Sequence, residues 1–161
     1  MRLTAIFYLT LPLLLLSSCN NNDDAISIDD RNEALFGQWE YEAIISDTAV
    51  DINGDGTANI DLYNTNEIRQ CLKDNITAFA FSGEGNKNSY FINESGLTCG
   101  EVDAFSNVEE DQYELINNKT LRFDNRNDMT IIEFTSSRLV LQQADVLDNI
   151  EVVISYTFKR N

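Results

Sequence analysis

Asp51, Asn53 and Asp55 stand at alternate positions, with Gly54 and Gly56 beside them. Side-chain oxygens at that spacing, followed by a residue free to turn sharply, suit a hard cation. Calcium collects six to eight oxygens from a chain that curls around it. Thr57 would add its backbone carbonyl, Asn59 comes next, and Asp61 is the last acid of the stretch. The same residues also read as a surface turn, since Asn-Gly and Asp-Gly are turn dipeptides. A turn needs one such pair, and three alternate acceptors exceed it. The expectation is a structural calcium ion on Asp51, Asn53, Asp55, Thr57 and Asp61, held weakly, at about 10⁻⁴–10⁻³ M.

This stretch resembles the calcium loops of EF-hand and dockerin-like modules, with one departure. The twelfth position is Leu62, where those loops carry a bidentate acid, and Asp61 falls one residue early. The flanks are strand-like, so no helix–loop–helix is expected.

Little other chemistry is available. The chain has no His, which removes His-dependent acid–base catalysis, Ser-His-Asp and Cys-His nucleophiles and most zinc sites. Twenty-seven acidic residues face 11 basic ones, a net charge of −16 that excludes a nucleic-acid partner. Glu101, Asp103, Glu109, Glu110 and Asp111 fall in a 95–111 loop and read as solvated acids. With no nucleophile elbow and no phosphate loop, the chain reads as a non-enzyme.

The three cysteines divide between two tasks. Residues 1–4 carry one positive charge, and Ala5 to Leu16 is an apolar run too short to span a bilayer but fit for a secretory leader. Leu16-Ser17-Ser18-Cys19 then resembles the lipobox of bacterial lipoproteins. That resemblance implies cleavage after residue 18, acyl chains on Cys19 and a membrane anchor. Asn20 to Asp24 is polar and acidic, a tether; it also resembles the signal that sends some lipoproteins to the outer face of the outer membrane. The periplasmic and cell-surface faces both remain open. Cys71 and Cys99 are left as an even pair in an exported chain, and a disulfide is expected between them.

Other elements must position these residues. Trp39, Tyr41, Ala43 and Ile45 alternate with polar neighbours, the period of a half-buried strand. The same reasoning gives eight strands: 38–46, 75–82, 88–94, 112–116, 119–124, 129–135, 138–143 and 150–160. Gly83 to Asn86, Asn117 to Lys119 and Ser136-Ser137 are the turns. Short, regularly spaced strands imply an all-β barrel or sandwich. Residues 29–35 suit one or two helical turns. Asn64 and Glu67 look like a capping box that starts a short helix over 64–72.

Leu35-Phe36-Gly37-Gln38-Trp39 resembles the Gly-x-Trp start of the first strand of lipocalins. Leu139-Val140-Leu141 and Tyr156-Thr157-Phe158-Lys159-Arg160 are similar to the close of bacterial lipocalin-like lipoprotein domains. The resemblance covers residues 34–161 and implies an eight-stranded antiparallel up-and-down barrel with one short helix. It also implies that Trp39 lies at the barrel floor under a basic side chain from the last strand, which parity makes Arg160. The inward candidates are Phe79, Phe81, Phe91, Tyr156 and Phe158. The chain then divides into a lipoprotein signal peptide (1–18), a lipid-anchored tether (19–33) and a lipocalin-like barrel (34–161). Two non-catalytic functions follow: an outer-membrane lipoprotein holding a small apolar ligand, or an interaction module of the cell envelope whose barrel is filled by its own side chains.

Overall fold

The computed structural model describes residues 24–83, 85, 87–100 and 107–161. The leader, Cys19, Glu101 and Asp103 lie outside them. Nine strands form one antiparallel sheet: β1 (Gly37–Val50), β2 (Asn59–Asp61), β3 (Ile76–Phe81), β4 (Asn88–Asn93), β5 (Asn107–Ile116), β6 (Thr120–Phe123), β7 (Met129–Phe134), β8 (Arg138–Leu147) and β9 (Ile150–Arg160). Each of β3 to β8 pairs with its successor, and β1 pairs with both β3 and β9. That second pairing closes an eight-stranded up-and-down barrel and removes its edges. All eight expected strands are present. The ninth, β2, pairs with the far half of β1 through Val50 and Asn59.

Two differences from the simple alternating reading come from bulges. The register of β1 on β9 shifts between Tyr41 and Ala43. One extra residue reverses which side chains face inward. Ile44 and Ser46 are therefore buried, and Ala43 and Ile45 are not. A second shift between Ile131 and Glu133 puts Phe134 inside and leaves Ile132 on the surface.

The expected helix over 64–72 is corrected to α2, a single turn at Gln70–Lys73 that follows α1 (Arg31–Leu35) in the chain. No capping box forms. The Asn64 amides donate to Asp61, and the Glu67 carboxylate accepts the Ile52 backbone N–H at 2.7 Å and the Asn59 side-chain amide at 2.7 Å. Both cap residues are committed elsewhere, so nothing starts a helix at 64. Residues 29–35 do form the expected turns, a 3-10 turn at Ile28–Asp30 running into α1.

Alternation of strand direction sorts the connections by end. The described residues of 82–87 lie at one end with the turns at 117–119 and 135–137, Trp39 and Arg160. The long segment 51–75 and residues 94–100 lie at the other, with 124–128 and 148–149. Asn117, Asn118, Asp148 and Asn149 all have positive φ, which Asn and Asp tolerate better than most residues and tight hairpins require. Among the described residues no helix is long and apolar enough to cross a membrane.

Candidate functional site

The closed end is built around Trp39. Its side chain is fully buried and its indole N–H donates to the Leu35 carbonyl at 2.9 Å. The Arg160 guanidinium lies 4.5 Å from the ring centroid. It donates to the carbonyls of Ala34, Phe36 (3.2 Å) and Ser136 (3.1 Å). Gly37 makes this close approach possible. Its φ is +129°, and a Cβ there would stand 3.2 Å from an Arg160 nitrogen. Arg160 thus ties the segment before β1 to the β7–β8 turn and seals the floor. The entering chain is fixed at the same end, where Ala25 bridges Thr135 and the Ile26 N–H donates to the Phe134 carbonyl at 2.9 Å.

Above the floor the lower barrel is filled. Phe79, Tyr90, Tyr113 and Phe123 pack in tilted and edge-to-face pairs, with ring centroids 5.1–6.0 Å apart. Phe158, Leu139, Leu141 and Phe134 complete this core. Of the expected inward residues, Phe79 and Phe158 are buried and Tyr156 packs against the core. Phe81 and Phe91 are corrections. Phe81 lies past the end of the packed core and is 69% exposed. Phe91 alternates outward, because Tyr90 holds the inward position opposite Phe79.

The upper barrel is different. Arg126 follows β6 and folds back into the lumen. Its guanidinium lies over the rings of Tyr90 (4.9 Å) and Phe123 (5.1 Å). It donates to Glu109 Oε1 at 2.7 Å and to Gln143 Oε1 at 3.2 Å. Tyr41 and Tyr156 face the same space from β1 and β9, their rings 6.2 Å apart. Both are surrounded by protein, yet both keep accessible surface.

Burial sets the ionisation of this group. Desolvation raises the phenols of Tyr41, Tyr90 and Tyr156, so all three are neutral donors and acceptors. Desolvation works against the Arg126 charge, but the paired Glu109 carboxylate favours it, and Arg126 stays cationic.

Asp111 places Arg126. Its buried carboxylate accepts from the Asn125 backbone N–H (3.1 Å), the Asn125 side chain (3.0 Å) and the Gln112 N–H (2.8 Å). The reading of 95–111 as a loop of solvated acids is therefore corrected. β5 begins at Asn107, Asp111 is buried, and Glu109 pairs with Arg126. Sequence reasoning missed Arg126 and Gln143 altogether and took Glu109 for a solvated acid.

The open end is stiffened by the expected disulfide. Cys71 and Cys99 are bonded, with Cα atoms 5.3 Å apart, and so join the two longest segments at the mouth. The Asp74 carboxylate accepts the Leu97 N–H at 2.8 Å, and the Glu94 carboxylate accepts the Cys99 N–H at 2.9 Å.

The 51–61 stretch lies beside this mouth. Asp51 Oδ1 and Asn53 Oδ1 both accept from the Asp55 N–H, at 3.0 and 2.8 Å. Asp55 Oδ1 accepts the Thr57 N–H at 2.8 Å, and the Thr57 carbonyl accepts from Asn59. Asp61 is turned to its own turn, where it accepts from the Tyr63 and Asn64 backbone N–H groups. The acid that reaches the loop is Glu67. Among the described residues no three acidic or cysteine side chains converge as a metal-holding group.

No family model and no curated protein matches the chain. Solved structures of bovine odorant-binding protein are similar in fold. The complex with a selenium-containing odorant has a TM-score of 0.46 at 14% identity, covering 81% of this chain and 72% of that one. The protein from bovine nasal mucosa gives 0.46 at 15%, covering 80% and 72%. The complex with undecanal gives 0.45 at 13%, covering 79% and 71%.

Proposed function

We propose that this chain is a lipid-anchored, non-catalytic binding protein of the outer membrane that holds a small apolar ligand in its barrel. One observation carries the ligand reading: Tyr41 and Tyr156, which stand near Arg126 in the closed barrel, are only partly covered, whereas the floor below is fully packed. Eight-stranded barrels either fill with side chains or hold one small ligand; the lower half here is filled, and the ligand is assigned to the upper half. Bovine odorant-binding protein, similar in fold, forms complexes with a selenium-containing odorant and with undecanal.

The anchor reading rests on Leu16-Ser17-Ser18-Cys19. Ala25 enters at the closed end, six residues after Cys19, a reach of about 20 Å when extended. A lipid on Cys19 sets the floor toward the membrane and the mouth away from it. Cys19→Ser is expected to abolish membrane fractionation, and a variant that still pellets with membranes refutes the anchor. Calcium on Asp51, Asn53, Asp55 and the Thr57 carbonyl is proposed as a structural ion. Its support is the convergence of the Asp51 and Asn53 oxygens on one amide.

Native mass spectrometry of the 20–161 fragment, purified from its own host, tests the ligand reading. A carried small molecule released on unfolding is expected. An empty protein that also fails to enhance the fluorescence of N-phenylnaphthylamine refutes it.

A further inference from the structure

We infer that a cavity on the outer face of the β8–β9 hairpin binds a linear polyamine, a cation whose ammonium groups are separated by methylene chains. The cavity lies outside the barrel and is independent of any occupant of the interior.

Strand register builds this cavity. Met129 pairs with Gln143, Gln143 with Ile154 and Ile154 with Ser46, and all four are buried. The next row along the same strands faces out of the barrel, because side chains alternate. It runs from Asp128, the residue before β7, through Ala144 on β8 and Val153 on β9 to Asp47 on β1, and all four are exposed. Asp47 Oδ1 accepts the Val153 N–H at 2.9 Å, and the Asn127 side-chain amide donates to the Ala144 carbonyl at 3.1 Å, so both flanks of the row are fixed. Val146, opposite Glu151, extends the same face toward the hairpin tip. These residues line a cavity of about 690 Å³. Small-molecule sites span about 300–1,000 Å³.

The floor of the cavity is apolar and uncovered, with Val146 59% and Val153 37% exposed. Its rim chooses the occupant. Every titratable residue that lines the cavity is an acid: Asp47, Asp128, Asp145 and Glu151. Among the described residues none of the four is paired with a Lys or Arg. Asp145 turns back on its own strand, where it accepts the Val146 N–H at 2.8 Å. The other three stand around the floor. A metal ion gains nothing from aliphatic side chains, and the described acids do not converge on one point. The strand positions of Asp128 and Asp47 are three spacings apart, about 14 Å. A single ammonium reaches only one of them. A polyamine reaches both, lays its methylenes over Ala144 and Val153, and keeps a further ammonium for Glu151. The fixed flanks mean that little has to be ordered when it binds.

The test is titration calorimetry of the purified protein at physiological ionic strength, with spermidine and with hexaamminecobalt(III), a compact cation of the same charge. Spermidine is expected to bind about tenfold more tightly, because only its methylenes gain from the apolar floor. Asp128→Asn combined with Glu151→Gln should weaken spermidine binding about tenfold, the value of two exposed ion pairs. Asp29→Asn combined with Glu110→Gln removes the same charge from exposed sites elsewhere. It should change spermidine affinity by less than about twofold, since salt screens charges beyond about 8 Å. All four substitutions are exposed and isosteric, and an unchanged melting temperature shows that the fold is kept. Equal binding of the two cations, or equal weakening by the two double variants, overturns the inference and leaves only the general attraction of an acidic surface for cations. Absence of spermidine binding to wild type overturns it outright.

Discussion

Arg160→Ala removes the seal of the closed end, and its cost follows from the contacts. The side chain gives hydrogen bonds to the Ala34, Phe36 and Ser136 carbonyls and a cation–π contact to Trp39. A hydrogen bond from a charged donor contributes about 1.5–3 kcal/mol when buried, but Arg160 is exposed, and each is discounted to about 0.5 kcal/mol. The cation–π contact adds about 0.5–1 kcal/mol at an exposed site. The sum is about 2 kcal/mol. For a barrel of this size that lowers Tm by about 8 °C. Trp39 is the only tryptophan and is fully buried, so its emission reports the floor directly. Thermal unfolding followed at Trp39 should show the lowered midpoint, with native emission shifted to the red as water reaches the indole. Arg160→Lys keeps the charge but not the planar fork, and should recover about half of the loss. A midpoint for Arg160→Ala within the about 0.5 kcal/mol of an inert surface change, with unshifted emission, refutes the sealing role.

Three further outcomes are expected. Replacing Cys71 and Cys99 together by Ser should cost about 3.5 kcal/mol on the chain-entropy account, for a separation of 28 residues, measured by denaturant unfolding against wild type. Low-millimolar calcium should stabilise the wild type by about 1 kcal/mol over chelator, and Asp55→Ala should lose that increment; equal melting with and without calcium leaves the 51–59 stretch a turn. Hydrogen bonds from the Asn64 backbone and side chain hold the Asp61 carboxyl below its ordinary value. Asp61 therefore stabilises the fold above its unfolded-state value and loses that contribution as pH falls through the lower folded-state value. Asp61→Asn should flatten that acid limb of the stability profile, and an identical limb in both proteins would count against the paired carboxylate.

Which parts of this structure could be read in advance depends on how local their causes are. Strand alternation is local, and so are the Asn117-Asn118 turn and the leftover pair of cysteines; each is present as expected. The contact of Arg160 with Trp39 is long-range, and only the resemblance to a known barrel brought the two ends of the chain together. The bulge after Tyr41 has no local signature, and it alone moved burial from Ala43 and Ile45 to Ile44 and Ser46. Glu67 shows the reverse failure. Asn64-Thr65-Asn66-Glu67 is a fair capping signal, but the Ile52 and Asn53 N–H groups claim its acid from 15 and 14 residues away. Arg126 sits in Asp124-Asn125-Arg126-Asn127-Asp128, a run whose composition reads as solvent-facing. Only a buried Asp111 on the neighbouring strand turns that run so that its cation enters the barrel.

The two ends of the barrel therefore answer different requirements. The floor gathers side chains whose packing is complete: Trp39 has its indole hydrogen bond, Arg160 its carbonyls, and Leu35 no exposed surface. Nothing there gains from a ligand. The upper half holds a cation with an unused donor among neutral phenols, under loops fixed by Cys71–Cys99 and by Asp74 and Glu94. Fixed loops lower the ordering cost of binding, since the mouth does not have to be assembled around the ligand. The desolvation of Arg126 has likewise already been met in folding, by stacking on Tyr90 and Phe123 and by pairing with Glu109.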